Sequence, residues 1–167
     1  GGGGEPYFLD YMRRYTDAPF LVELDDHGDG AYTPGNFLTA SELDDAALRD
    51  SANSTHRLLV MQADGSAVDP GGTIADRYGE DGKGKWNLRL DGVDPVMSVA
   101  DVEAGDEFSG TAELLLPRFD LPASDSTEGP VGAGVVHRGV PVRRVAGRLV
   151  TTVYDLMLAH YGVRRDG

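Results

Sequence analysis

"GVPVRRVAGRLVTTVYDLMLAHYG", residues 139–162, carries the reading of the fold. Residues 139–152 read as a β-hairpin with Gly147 near its turn, and residues 152–162 as an amphipathic helix with a Leu, Met and Tyr face. Gly162 stands where a left-handed residue closes a helix. Arg164 and Arg165 follow, where positive charge suits the negative end of the helix dipole. A hairpin feeding directly into a helix points to a chain that mixes both element types.

Moving outward, residues 5–17 predict a helix at the other end. Tyr7, Phe8, Tyr11, Met12 and Tyr15 recur at helical spacing, Pro6 suits a first turn, and Asp17-Ala18-Pro19 should end it. "FLVEL" (20–24) reads as a short buried strand and "DDHGDGAY" (25–32) as a hairpin-like turn. Thr39 or Ser41 is placed to cap a helix over about 42–49. "HRLLVMQADGSAVDPGG" (56–72) reads as strand, Asp-Gly turn and extended segment. Residues 91–110 are short, acidic and turn-rich, and "TAELLLPRFD" (111–120) is a strand stopped by Pro117. Residues 121–134 are Pro, Gly, Ser and acid, and predict a flexible loop.

"YGEDGKGKWNLRL" (78–90) has Gly79, Gly84 and Lys85 at the spacing of a phosphate-gripping G-x-x-x-x-G-K loop. Such a loop needs Ser or Thr next, an apolar strand before it and a helix after it. Here Trp86 comes next, and Trp86, Leu88 and Leu90 alternate with Asn87 and Arg89 as in a half-buried strand. A Gly-rich turn entering a strand is the better reading. Lys83 and Lys85 are the only lysines in the chain. They form a compact positive point on an acidic protein, read here as a subunit contact.

The fold class expected is α+β: short mixed strands and Gly-rich loops between an N-terminal and a C-terminal helix. The apolar faces sit at the two ends, and the middle reads as short strands and polar loops burying little surface. Residues 1–4 read as a linker or natural turn, and 5–167 as one segment of a larger domain. Gly at 23 and Pro at 9 in 167 residues demand many turns and argue against a helical bundle.

A formal charge of −13 argues against nucleic-acid binding across the general surface, since phosphates would be repelled. Asp outnumbers Glu and arginine replaces lysine almost throughout. Salt adaptation and an ordinary acidic protein from a GC-rich genome both fit that composition. The chain has no cysteine, which removes disulfides and thiolate-ligated metals from it. His27, His56, His137 and His160 lie far apart without ligand spacing, and no run is long and apolar enough for a membrane span. No G-x-S-x-G elbow, H-E-x-x-H or G-x-G-x-x-G motif occurs, and pairs such as Asp25 and Asp26 are what so many carboxylates produce by chance.

Three stretches in order carry a family resemblance: "DYMRRYTDAPFLV" (10–22), "RYGEDGKGKWNL" (77–88) and "PVRRVAGRLVTTVYDLMLAHYGV" (141–163). "YTPGNFLTASEL" (32–43) and "DGSAVDPGGTIADRYG" (64–79) are similar in kind. Together they resemble the catalytic, alpha subunit of respiratory nitrate reductases, which are molybdopterin-guanine-dinucleotide oxidoreductases. The resemblance implies an internal piece of a larger α/β molybdenum-cofactor domain. It implies reduction of nitrate to nitrite by the whole subunit, with electrons from quinol passing through iron–sulfur clusters. The whole subunit would hold molybdenum bis-molybdopterin guanine dinucleotide and a 4Fe–4S cluster. The ligating His/Cys motif and Asp of the family precede the matched stretch, so no catalytic or metal-binding residue is carried over and the piece alone should bind no cofactor and be inert. Implied partners are an iron–sulfur beta subunit and, through it, a membrane subunit. The protein would then sit at the membrane through its partners, facing outward if the acidity marks a salt-loving source. The competing expectation is a non-catalytic α+β module that docks to a partner protein.

Overall fold

A computed structural model of the chain describes residues 17–71, 92–103, 109–117 and 135–160. The helix expected over 5–17 (Asp17 apart), Lys83 and Lys85, the strand expected after them, the 121–134 loop and the Gly162 cap lie outside the described residues.

Five strands close into a barrel in the order β1 (Leu21–Gly28), β2 (Ala31–Phe37), β5 (Ser109–Pro117), β6 (Val135–Val145) and β7 (Arg148–Thr152). All neighbours are antiparallel except β2 and β5, which run parallel through Ala31↔Glu113 and Tyr32↔Leu114. A parallel pair needs a long crossover. That crossover includes a 3-10 turn (Ala40–Glu42), the one-turn helix α1 (Ala46–Arg49), and a small hairpin of β3 (Val60–Met61) and β4 (Ala67–Val68). Helix α2 (Val153–His160) follows β7 without a linker.

The last hairpin forms where the sequence places it, whereas the turn expected over 25–32 shrinks to two residues, because 25–28 and 31–32 pair as parts of β1 and β2. The β1–β2 turn is Asp29-Gly30, with φ of 57° and 77°, between the paired Gly28 and Ala31. The β6–β7 turn is Ala146-Gly147, with φ of 50° and 75°, between the paired Val145 and Arg148. Two positive φ values in a two-residue loop give the twist that suits an antiparallel hairpin. The Asp-Gly turn between β3 and β4 also forms, with Gly65 at φ 86°. The Asp64 carboxylate accepts from the Ser66 hydroxyl at 2.6 Å and the Ser66 amide at 2.9 Å, and these bonds hold its pKa below the usual value.

The helix expected over about 42–49 is divided. Thr39 precedes the 3-10 turn, whose Glu42 side chain reaches back to the Thr39 amide at 3.3 Å. Leu43 then turns extended, at φ −82° and ψ 153°, and is buried. Asp45 starts the second piece, accepting from the Ala47 amide at 2.9 Å. Burying Leu43 outweighs the propensity for one continuous helix, because short helices are marginal without packing.

The middle of the chain buries more than its local pattern suggests. One core takes Leu24, Ala112, Leu114, Val140, Val142 and Leu149, with Tyr32 packed against it. These side chains come from all five strands, which places them inside the barrel, and Ala159 and Leu156 of α2 join them. A second core takes Leu21, Val145 and Val150 from the barrel wall and Leu38, Ala40, Leu43, Leu59, Met61, Val96 and Val99 from the crossover and the segment after it. The expectation that the middle buries little surface is therefore wrong. Each piece is too short to show a strong face alone, and closure supplies the burial.

Candidate functional site

Two polar clusters stand out among the described residues. The first is buried at the junction of β7 and α2. Thr152 lies just before the helix and accepts from the Asp155 amide at 3.0 Å, the local geometry of an N-cap. The Thr152 hydroxyl also donates to the Met97 carbonyl at 2.6 Å. The Asp155 carboxylate, 2% exposed, accepts from the Val99 amide at 3.0 Å and the Thr151 hydroxyl at 3.4 Å. Backbone bonds from Val153 to Phe20 and from Tyr154 to Ala18 complete the junction. This cluster ties three distant segments together.

The second cluster lies at the barrel rim. A solvent-open cleft of about 260 Å³ is lined by residues of β1, β2 and the β6–β7 turn, among them Glu23, Asp25, Asp26, Arg144 and Arg148. Arg148 Nη1 donates to Glu23 Oε1 at 2.8 Å and stands 3.9 Å from Glu42 Oε1. Burial pushes the Glu23 carboxyl above its usual pKa; hydrogen bonding to Glu42 and the charge of Glu42 push the same way, and Arg148 offsets part of this. The arrangement can hold a proton or an ion pair. Among the described residues no three His, Asp or Glu side chains gather as a metal-ligating group. The described residues therefore do not fit the metal implied by the family resemblance, and no catalytic step is assigned to them.

Lys83 and Lys85 lie outside the described residues, so neither cluster includes them. His27 on β1 and His56 in a 3-10 turn are exposed, and His160 ends α2 half-buried. Asp25 and Asp26 both line the cleft. Sequence reasoning missed Glu23, Glu42, Arg148 and Asp155. A signal existed for Asp155: Thr152-Val-Tyr-Asp155 is the Ser/Thr-x-x-acid pattern that opens a helix. None existed for Glu23 and Arg148, which are 125 residues apart in sequence.

No protein-family model matches the chain. Curated proteins do match it. The nitrate reductase alpha subunit of Mycobacterium tuberculosis is 44% identical over 163 residues, covering 97% of this chain and 12% of that protein. The respiratory nitrate reductase 1 alpha chain of Escherichia coli is 37% identical over 168 residues, covering 95% of this chain and 13% of that protein. The nitrate reductase alpha chain of Bacillus subtilis is 33% identical over 168 residues, covering 95% and 12%. The chain thus spans about an eighth of the length of these relatives. By this similarity, extending over nearly its whole length, the chain belongs with the nitrate reductase alpha subunits and matches one segment of them.

Proposed function

We propose that this chain is a segment of the catalytic subunit of a respiratory nitrate reductase, an oxidoreductase that reduces nitrate to nitrite with electrons from quinol. The observation that carries the reading is 44% identity along 97% of the chain to a nitrate reductase alpha subunit. In the whole subunit the electrons would arrive through iron–sulfur clusters and nitrate would be reduced at molybdenum bis-molybdopterin guanine dinucleotide. The role proposed for the described residues is architectural. The barrel and its crossover form a packed unit whose rim and helix face other parts of the subunit or its iron–sulfur partner. Lys83 and Lys85 are proposed to contact that partner or a neighbouring acidic segment, because they concentrate the lysine charge of an acidic chain at one point. Membrane association would come through partner subunits. Among the described residues no helix is long and apolar enough to cross a membrane.

The test compares the purified 167-residue chain with the longest in-frame protein that contains it, each given nitrate and reduced viologen and analysed for metals. The long protein should reduce nitrate and carry molybdenum and iron, and the isolated chain should do neither. Turnover or stoichiometric molybdenum in the isolated chain would refute the architectural role. A long protein without reductase activity would favour a docking module. Changing Lys83 and Lys85 together to Gln in the long protein should weaken subunit assembly, and unchanged assembly, stability and activity would reduce that loop to a plain turn.

A further inference from the structure

Arg143 is the one buried arginine among the described residues, at 6% exposed. Its neighbours Val140 and Val142 fill the barrel interior, whereas Val145 joins the second core. Alternation along a strand therefore puts Arg143 on the outer face of β6. There the β3–β4 turn and the segment at 99–103 cover it. A Cβ at Gly65 would stand 3.4 Å from Arg143 Nη2 and 3.5 Å from Val102 Cγ1. The Glu103 amide ties the two covering segments together by donating to the Ala63 carbonyl at 2.8 Å.

The other described arginines are matched or exposed. Arg57 meets Asp69 at 2.9 Å, Arg148 meets Glu23 at 2.8 Å and Arg49 lies 3.5 Å from Asp50. Arg144 donates to the Gly147 carbonyl at 3.3 Å, and Arg138 is exposed. The Arg143 guanidinium has no hydrogen bond or ion pair among the described residues, and its nitrogens are not sealed from solvent. Asp64, beside Gly65, spends its carboxylate on the Ser66 amide and hydroxyl instead. A guanidinium does not escape burial by shedding its proton, and a buried charge without a counter-charge is strongly unfavourable.

We propose that Arg143 is the receptor of a small planar oxyanion carrying one negative charge, the class to which nitrate and formate belong. The shape follows from the guanidinium, whose parallel N–H donors match two oxygens in one plane. The size follows from the cover: with Gly65 and Val102 against the guanidinium, only a flat ion entering edge-on reaches the nitrogens. The charge follows from the chain, whose net −13 repels a multiply charged anion more strongly than a singly charged one. The inference stands apart from the proposed reductase role, because it rests on the described residues alone.

The test uses the full 167-residue chain in sodium nitrate, sodium formate or sodium chloride at matched ionic strength, read by arginine Nε–H NMR signals and by urea unfolding. One Nε–H signal should move saturably with nitrate and with formate and far less with chloride, and Arg143→Met should lack that signal. With nitrate at about ten times its half-saturation, the unfolding equilibrium constant should fall about tenfold below its value in chloride. Arg143→Met keeps an apolar stem and should lose that difference. Arg143→Lys keeps the charge without the fork and should lose most of it, which keeps the proposal testable if the first variant folds poorly. Equal unfolding in nitrate and chloride, or a nitrate effect that persists in Arg143→Met, overturns the receptor. So does nitrate binding that appears only after Asp106→Asn or Glu107→Gln, the acids just before Ser109, the register partner of Arg143. The guanidinium would then already hold a side chain of its own protein.

Discussion

Asp155 shows what one residue does here. Its carboxylate satisfies a buried amide of the segment at 98–101, while its own amide is held by Thr152. A buried N–H without an acceptor costs far more than the net gain of an ordinary hydrogen bond. Asp155→Ala orphans the Val99 amide and should destabilise the chain by about 2–3 kcal/mol. Asp155→Asn keeps an acceptor oxygen in place and should cost about 1 kcal/mol or less. Urea unfolding of both variants checks the pair, and equal losses would show that the effect is one of charge or volume, not of the bond to Val99. The helix-opening role of Asp155 was legible in Thr152-x-x-Asp155. Its second partner was not, because Val99 is 56 residues away.

At the scale of elements, the β6–β7 hairpin contains a misfit that the β1–β2 hairpin avoids. Both loops need positive φ at two consecutive positions. Asp29-Gly30 meets that need well, but Ala146 takes φ of 50° with a Cβ that opposes it. Asn tolerates this conformation through its short polar side chain. Ala146→Asn should therefore stabilise the chain by about 0.5–1 kcal/mol, seen as a higher urea midpoint with an unchanged slope. No gain would mean that the strands, not the turn, dictate the hairpin. The position of this turn was readable from Gly147 alone. The division of the 39–49 region into two pieces was not, because the burial that separates them is supplied by residues such as Leu59 and Val99 from beyond it.

For the whole molecule, closure of the barrel is the decisive event. Leu114, fully buried, sits beside Tyr32 at the parallel seam and pairs with Arg138 on the other side. Leu114→Ala opens a cavity where the strands converge and should cost about 2–5 kcal/mol. Because the barrel wall also forms one side of the second core, unfolding should remain a single transition by circular dichroism and tryptophan-independent near-ultraviolet signals. Two separated transitions would show that the cores fold apart. The amino-acid sequence by itself determined the α+β class, the turns at Gly30, Gly65 and Gly147, the last hairpin and helix, and the kinship with nitrate reductase alpha subunits. Those features are written in signals spanning a few residues, or in residue identity along the chain. Only the tertiary structure decided that the strands form a barrel, that the crossover carries a second core, and that Glu23, Glu42 and Arg148 meet. Such contacts join residues as distant in sequence as Leu21 and Thr152, and no local pattern encodes which distant partner will complete a buried face or neutralise a buried charge.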